Sequence, residues 1–559
     1  MHRRQARGAT RPSLAHNAYN QAVVYPLFFQ LLRRGSRLAC LISLGSIAAS
    51  CAAGAQAPAD AAAGHGRILL VLPFDNKTGQ PSLEWIREAA PEILSSRFAS
   101  SGFAPLSRAD RLYALDHLGL PQGFQPSRAS ALKLAQTMDV DSIVVGSYQT
   151  DGTQINAEAQ IVDVPHLRMG EPIRATGELH NLIAVLDSLA WKLTRQLDPG
   201  FGGSEETFIA AGANLRLDAF EQFIRGIAEP DQGERLRHLQ QAVKLSPDFS
   251  AAWMALGREY YLGQQYEEAA AGFAKVTGND ADALEAGFYR GLSLMFSGNY
   301  GKAETAFAGV ARVLPLAPVL NNQGVAISRQ GHDGTALFRQ AEAADPTAAD
   351  YHFNLAVSLK RHNDTVGALA EVAQYLKMRP NDSEAVAMES IWKQPGGGSP
   401  VEPLERIVRG FDAVAFRQAA VMLDQMAAAR LAALTPEQRA HTLANQARDY
   451  LSRGLLLEAE RLYQSAVASD SRAEDGHEGL AEVRERTGDT VGARKEAQAA
   501  LELGPSANAY LVLARLDMAA DHLDDATRDA GEALKLIPNS QAAQEVLRQV
   551  SARRGQVKQ

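Results

Sequence analysis

The stretch from Trp253 to Phe273, WMALGREYYLGQQYEEAAAGF, decides the fold of most of the chain. Apolar residues recur in it every three or four positions, which is typical of amphipathic helices. A small residue in the first of two predicted helices then returns at intervals of 34 and 33 residues, at Gly257, Gly291 and Gly324. A two-helix unit cannot bury its apolar stripe alone. This period therefore predicts an array in which neighbouring units stack and share a continuous core.

These residues resemble the tetratricopeptide repeat, whose signature is Trp, Leu-Gly, Tyr and then Ala, Phe and Pro. The signature appears here as Trp253, Leu256-Gly257, Tyr260, Ala269 and Phe273. Further copies continue as far as Pro538, and we count seven repeats after one shortened unit at Asp218–Pro247. The resemblance implies an all-α solenoid, a right-handed superhelix of helix pairs, over residues 215–556.

The stretch PGGGSP at 395–400 interrupts the array and predicts a linker over residues 394–402. Residues 403–434 follow it, and we interpret them as two helices that lack the repeat signature. The array is therefore divided into block 1, residues 215–393, and block 2, residues 435–556. The last helix of block 2 resembles a capping helix.

Residues 66–198 show a different pattern, in which short apolar runs alternate with helical ones. The run RILLVLPF at 67–74 has the length and composition of a buried strand. The Asp151-Gly152 pair between two β-rich runs predicts a hairpin. We therefore predict an amino-terminal α/β domain, joined to the array by a linker over residues 199–214.

The strand run and its continuation, VLPFDNKTG at Val71–Gly79, resemble the opening of the TolB amino-terminal-like (FlgO-like) α/β domain. Asp139–Ser147 is similar to a later strand of that family. The resemblance implies a non-catalytic domain that makes protein contacts or has a sensory role in the bacterial envelope. Within it, Asp75–Gly79 is either a binding loop or a turn at a strand end, and its Asx and Gly residues favour the turn.

Residues 1–55 predict an export leader. Basic residues precede an apolar run of 12 residues, Leu38–Ala49, and small residues follow it. The run is shorter than the roughly 20 residues that span a bilayer. A second apolar stretch at 22–32 is explained either by a start codon assigned too far upstream or by a two-span hairpin.

Three outcomes of leader processing stay open. Ala53-Gly54-Ala55 fits a signal peptidase site, whereas Ala48-Ala49-Ser50-Cys51 resembles a lipobox, after which Cys51 would be lipidated. An uncleaved anchor is the third. We expect a periplasmic or outer-membrane-associated protein rather than a cytoplasmic one, with membrane contact only through a lipid at Cys51.

The composition excludes several classes of protein. With 46% hydrophobic and 21% charged residues among 559, the chain resembles an ordinary globular protein. A formal net charge of −8 argues against a surface for polyanions, so we expect no nucleic-acid partner. The two cysteines, Cys40 and Cys51, are too few for a zinc ribbon, an iron–sulfur site or a disulfide scaffold.

Catalytic motifs are missing from the sequence. It has no phosphate-binding G-x-x-x-x-G-K-[ST], no H-E-x-x-H and no G-x-S-x-G. We therefore expect no enzymatic activity, no cofactor and no metal.

Polar residues on the first helices of the repeats predict a binding groove. Asparagine recurs two residues before the small residue, at Asn322, Asn354 and Asn445. An amide side chain can donate to and accept from a peptide backbone at once. Four cations on or near the same face are candidates to pair with a partner's carboxylates: Arg258, Arg329, Lys360 and Arg361.

Together these features predict an exported scaffold or adaptor that binds protein or peptide partners in the groove of its repeats. The alternative is a signalling protein, because similar pairs of domains accompany cyclase or DNA-binding output domains. The sequence contains no such output module, which favours the scaffold.

Overall fold

The computed structural model describes residues 68–121, 128–276, 280–394, 403–410 and 426–557. Within these ranges a mixed β-sheet domain precedes a long series of helices, as the sequence predicted. No helix in the described part of the chain is long and apolar enough to cross a membrane. The predicted leader, Cys51 and residues 395–402 of the predicted linker lie outside the described residues.

The amino-terminal domain is built on one sheet in the order β3-β1-β4-β5-β6, with β2 beside β4 and β7 beside β5. β1 runs parallel to β3 and β4, whereas β5 is antiparallel to β4, β6 and β7. The predicted hairpin is confirmed, since Asp151 at the end of β4 pairs with Gln154 at the start of β5. The strands are β1 Ile68–Val71, β2 Asp75–Asn76, β3 Ala104–Pro105, β4 Ser142–Asp151, β5 Gln154–Asp163, β6 Arg168–Met169 and β7 Ile173–Glu178.

Four helices cover the two faces of this sheet: α1 Ile86–Ser100, α2 Arg108–His117, α3 Arg128–Met138 and α4 Leu182–Leu197. Leu69 and Val71 of β1 pack with α1 and α4, whereas Leu70 and Leu72 pack with α2 and α3. Successive side chains of a strand point to opposite faces. A strand covered on both faces is therefore apolar throughout, which explains the unbroken run at its start.

The loop after β1 is a turn. The side-chain oxygen of Asn76 accepts the N–H of Thr78 at 2.9 Å and its hydroxyl at 2.6 Å. Gly79 has a φ of +69°, in the left-handed region that glycine adopts without strain. This geometry agrees with the turn interpretation of Asp75–Gly79.

The remaining helices pair in the order expected for a tetratricopeptide solenoid. Block 1 contains α6 Leu217–Ala228, α7 Gln232–Leu245, α8 Ser250–Leu262, α9 Tyr266–Phe273, α10 Asp280–Phe296, α11 Tyr300–Val313, α12 Ala317–Arg329, α13 Thr335–Ala344, α14 Ala349–Arg361, α15 Thr365–Met378 and α16 Ser383–Trp392, after α5 Glu205–Gly212. Block 2 contains α17 Pro436–Ser452, α18 Leu456–Ser469, α19 Glu474–Thr487, α20 Thr490–Leu503, α21 Ala507–Ala519, α22 Leu523–Leu536 and α23 Gln541–Val557.

The recurring glycines mark where the two helices of a unit approach most closely. A Cβ atom on Gly257 would lie 2.8 Å from a ring carbon of Phe273, closer than side chains pack. Gly324 and Phe338 repeat the relationship at 2.8 Å. The spacing of small and aromatic residues in the sequence therefore reports this crossing point.

A second recurring position, seen in three units, lies where a unit meets the one before it. Trp253, His352 and His477 each place a ring nitrogen within 3.2 Å of the carbonyl six residues earlier. In the two histidine units the other ring nitrogen lies 2.7 Å from a glutamate of the second helix, Glu371 or Glu496. The indole and the imidazoles thus bind the equivalent loop in three repeats. The histidines also join the two helices of their own unit.

Residues 199–214 are not simply a linker, which corrects the sequence prediction. Helix α5 begins after Ser204, whose hydroxyl accepts a backbone N–H of the first turn at 3.2 Å. Phe208 is fully buried, and α5 packs against α4 as well as against α18 and α19 of block 2. The backbone N–H of Ser204 donates to Glu460 of α18 at 3.3 Å. The glycines at the start of this stretch predicted a linker. The residues after them form a helix because burial of Phe208 stabilises it.

Candidate functional site

An extended piece of the chain lies against the first helices of two repeats of block 1, α12 and α14. Residues 403–410, PLERIVRG, were predicted to be helical; instead they run without secondary structure over α12 and α14. We call these residues the docked segment and the surface beneath them the groove. Of the rest of 403–434, residues 426–432 are helical and 411–425 lie outside the described residues. The helix prediction fails at 403–410 because side chains of the repeats satisfy the backbone of the segment in extended form.

Two asparagines hold the backbone of the docked segment. The amide of Asn354 donates to the carbonyl of Arg406 at 2.7 Å and accepts its N–H at 2.6 Å. Asn322 does the same to Val408, at 2.8 and 2.9 Å. Both asparagines are fully buried. Successive repeats thus grip alternate residues of an extended chain, as a neighbouring β-strand would.

Asn321, which the register of the small residues does not predict, completes this clamp. Its side-chain nitrogen lies 3.1 Å from the carbonyl of Arg406, and its oxygen accepts the amide of Asn354 at 2.7 Å. It therefore fixes the orientation of the Asn354 amide. The signal in the sequence was the doubled asparagine, of which only the second, Asn322, is in register with Asn354.

Glu405 inserts its carboxylate into a pocket of cations. Nη1 of Arg361 lies 2.6 Å from one carboxylate oxygen, and Nε of Arg329 lies 3.3 Å from the other. The hydroxyl of Ser328 donates to the same carboxylate. Burial alone would raise the pKa of Glu405, but the hydrogen bonds from Ser328 and Arg361 hold it below its ordinary value of 4.5. The pocket therefore accepts an ionised carboxylate.

Arg406 extends from the docked segment into a pocket of opposite charge. Its guanidinium carbon lies 3.9 Å from the ring centre of Phe353 and 4.9 Å from that of Tyr375. Nη2 donates to Asp382 at 2.8 Å, and Nη1 also bonds the Tyr375 hydroxyl. Burial raises the pKa of Asp382 less than the hydrogen bonds from Tyr375 and Arg406 lower it. The site combines stacking with a charge-assisted hydrogen bond, which suits arginine better than lysine.

The docked segment ends against apolar and aromatic surface. Val408 packs among residues of α12 and α14, including Leu320 and Tyr351. The guanidinium of Arg409 lies 5.2 Å from the ring centre of Phe296 in α10. Phe296 belongs to an aromatic cluster that includes Tyr261, Tyr266 and Tyr289. The groove therefore continues from the clamp towards the preceding repeat.

The structure brings four of the seven predicted groove residues together around the docked segment: Asn322, Asn354, Arg329 and Arg361. Lys360 instead donates to Thr365 at 3.0 Å and lies over the ring of Trp392. Arg258 pairs with Glu285 in an earlier repeat. Asn445 is exposed in block 2, where its oxygen accepts from Arg448 at 2.8 Å.

Block 2 shares the framework of block 1 but not its clamp. The sequence DTVGA begins both α15 and α20, at 364–368 and 489–493, and His352 and His477 are separated by the same 125 residues. At that spacing Gly479 stands where block 1 has Asn354. A glycine cannot hold a backbone as the amide does, so this unit lacks the clamp.

Metal ligands do not gather in the described ranges: no group of three His, Cys, Asp or Glu there could hold an ion.

Solved structures of repeat proteins resemble parts of the chain. YrrB, described as a TPR protein with an unusual peptide-binding site, is 16% identical and has a TM-score of 0.29; the match covers 31% of this chain and 92% of that one. TTC0263, a thermophilic TPR protein from Thermus thermophilus, is 17% identical with a TM-score of 0.23, over 31% and 98%. The LpoB carboxy-terminal domain from Salmonella enterica is 18% identical with a TM-score of 0.19, over 20% and 84%. Scores this low carry no argument about function.

No curated protein matches the chain. The tetratricopeptide repeat family matches it at residues 236–286, 328–383 and 445–508, which fall in both blocks. This family is typically a non-catalytic scaffold, and no enzyme family is indicated. The resemblance of the sheet domain to the TolB amino-terminal-like family remains a prediction. The chain thus carries tetratricopeptide repeats, which mediate protein–protein interaction, behind a mixed-sheet domain.

Proposed function

We propose that this protein is an exported scaffold or adaptor of the bacterial envelope that binds partner proteins in the groove of block 1. The sheet domain serves in this proposal as a second module for protein contacts. Support for the binding role comes from the repeats, since tetratricopeptide repeats mediate protein–protein interaction.

One observation carries the proposal: the Asn322 and Asn354 side chains hold two alternate residues of an extended backbone. Main-chain hydrogen bonds supply affinity for any extended peptide, and side-chain pockets beside them supply specificity. The groove has both, with a cationic pocket at Arg329 and Arg361 and an aromatic, acidic pocket at Tyr375 and Asp382.

Cross-linking in envelope fractions tests the binding role. Wild type and the Asn322→Ala/Asn354→Ala variant would be cross-linked in cells, purified and compared by mass spectrometry. Asn445→Ala is the matched control, because this asparagine has the same repeat position but is exposed in block 2. We expect the double variant to lose partners that the wild type and the control retain. An identical set of partners in all three, with the fold intact by circular dichroism, would sink the proposal.

The location is tested separately by fractionation of a carboxy-terminally tagged chain. Envelope localisation that depends on residues 1–55 supports export, and a shift in the Cys51→Ser variant from membrane to soluble periplasm identifies lipidation. A cytoplasmic chain would overturn the envelope assignment and return the signalling alternative.

A further inference from the structure

We propose that the docked segment is an internal stand-in for the partner, and that the groove binds external peptides of the form Glu-Arg-Ile-Val-Arg by exchange with it. The inference rests on the proposed function, because it names the chemistry of the partner for the same groove. The occupant to which we commit is an extended segment of another protein that carries this sequence.

The two charge pockets recognise the residues in order. Glu405 and Arg406 are adjacent, and adjacent side chains of an extended chain point to opposite sides. The groove offers cations, Arg329 and Arg361, on one side and Asp382 on the other. A peptide with the two residues exchanged would place its arginine against Arg329 and Arg361 and its glutamate against Asp382. Repulsion between like charges would therefore exclude that peptide, while attraction favours the order Glu-Arg.

The clamp fixes the direction of the peptide. Asn354, in the later repeat, holds residue 406, and Asn322, in the earlier one, holds residue 408. The peptide therefore runs opposite to the order of the repeats. Its next residue, Arg409, reaches Phe296 in the repeat before. Ile407, between residues 406 and 408, is partly buried against the apolar core of block 1. The required sequence thus extends over Glu, Arg, an apolar residue, Val and Arg, with the first pair most deeply held.

The docked segment is held by interactions that another chain can reproduce. Its polar contacts with the described residues come from side chains of the repeats. None of its backbone groups pairs with another backbone group within the described ranges. Leu404 is 62% exposed, and Arg409 and Gly410 are exposed too, so part of the segment faces solvent. Covalent attachment gives it an effective concentration on the order of millimolar, which a partner must overcome.

The test uses the full chain and a labelled synthetic peptide, Pro-Leu-Glu-Arg-Ile-Val-Arg-Gly, which reproduces residues 403–410. In the Glu405→Ala/Arg406→Ala variant the internal segment loses both charged anchors, so the groove becomes available. Fluorescence anisotropy should show the peptide binding this variant at least tenfold more tightly than wild type. A peptide with Glu and Arg exchanged should bind the same variant at least tenfold more weakly.

A second measurement keeps the test valid if that variant does not fold. Hydrogen exchange of wild-type residues 403–410 should accelerate when unlabelled peptide is added in millimolar excess, because the internal segment is displaced. If the peptide neither binds the folded variant nor accelerates exchange, the groove does not take this sequence from another chain and the inference is overturned. The envelope cross-linking experiment still decides the proposed function separately, because the loss of partners in the Asn322→Ala/Asn354→Ala variant does not depend on this peptide sequence.

The segment of a second copy is the other occupant to exclude. The Glu405→Ala/Arg406→Ala chain would be mixed with the Asn322→Ala/Asn354→Ala chain, so that one supplies a groove and the other a segment. Sedimentation velocity should show monomers of each. A mixed dimer that forms in neither sample alone would overturn the commitment to an external peptide in favour of exchange between copies.

Discussion

Asn354 and Arg406 exchange two hydrogen bonds across 52 residues of chain, at 2.7 and 2.6 Å. The side chain of the first acts on the second as the backbone of a neighbouring strand would. Because the amide carries both a donor and an acceptor, the same contact is available to any residue in extended conformation. The groove thus recognises main chain first and sequence second.

Loss of the clamp should free the docked segment locally. In Asn354→Ala and in Asn322→Ala, we expect the amides of Arg406 and Val408 to exchange at least tenfold faster, because each loses its acceptor. Hydrogen exchange with mass spectrometry measures this on the peptide that covers 403–410. Asn445→Ala is the control and should leave that peptide unchanged. Equal protection in all variants would mean that packing alone holds the segment.

Acidification should release the docked segment. The pKa of Glu405 is lowered in the groove, so ionisation stabilises the docked state above its ordinary value of 4.5, and this contribution is lost as pH falls through the lowered value. Protection factors of residues 403–410 should therefore drop below about pH 4.5.

Glu405→Gln serves as the comparison for this effect. Asp382 also faces the segment, through Arg406, but its pKa is held well below the usual range, so it titrates at lower pH. Protection in Glu405→Gln should be weaker at pH 7 and nearly constant down to pH 4. A pH response equal to that of wild type would assign the release to another group.

The His477–Glu496 pair should stabilise block 2 most in mildly acidic solution. The hydrogen bond with Glu496 raises the pKa of His477 above 6.5. Burial opposes the ionisation of Glu496, but the hydrogen bond from His477 and the charge of Arg484 lower its pKa below 4.5. The stabilisation of block 2 by this pair is therefore fully present between pH 4.5 and pH 6.5, the ordinary pKa values of the two groups. It is lost as pH rises through the pKa of folded His477 or falls through that of folded Glu496.

Urea denaturation of His477→Gln measures this window. The loss of stability relative to wild type should be about 1.5–3 kcal/mol near pH 5.5, as for a hydrogen bond between charged groups, and smaller at pH 8.5. His180→Gln, at an exposed ion pair in the sheet domain, is the control and should change stability little. A loss that is the same at both pH values would mean that packing of the ring, rather than its charge, stabilises the unit.

The sheet domain depends on one buried ion pair between α1 and α4. Nε of Arg97 lies 2.8 Å from Asp187, which is fully buried, and burial raises the pKa of that carboxyl to about 6. Asp187→Ala leaves the guanidinium without its acceptor and should cost about 3–5 kcal/mol in thermal or urea denaturation. Asp187→Asn keeps an acceptor and should cost less. Glu158→Ala, at a solvent-exposed pair of β5, should change stability little; comparable losses in all three would contradict this assignment.

The sequence predicted the sheet, the hairpin and the helix pairs because their signals are local. Gly257 and Phe273 contact each other inside one unit, and the same pair of residue types recurs every 33 or 34 residues. Two clamp asparagines were found for the same reason, since Asn322 and Asn354 keep register with the small residue. The TolB-like resemblance rests on similar local patterns and remains untested.

The docked segment was missed because its conformation is set by distant residues. Glu405 and Arg406 suit a helix locally, but their anchors come from repeats tens of residues earlier in the chain. Arg361 and Lys360 show that position in the sequence does not by itself predict which side chain enters the groove. Neighbouring residues on a helix point about 100° apart, so only one of them reaches Glu405. Tyr375 lies on the second helix of its repeat, whereas the groove was predicted on the first helices.

The contacts of helix α5 cannot all form at the same stage of synthesis. Its buried face is completed by Leu457 and Glu460, which leave the ribosome some 250 residues later. Until then part of the surface around Phe208 is open on a nascent chain whose sheet domain is already complete. Closure of this contact also ties α5, which precedes block 1, to α18 and α19 of block 2, so block 1 lies within a closed loop of the chain.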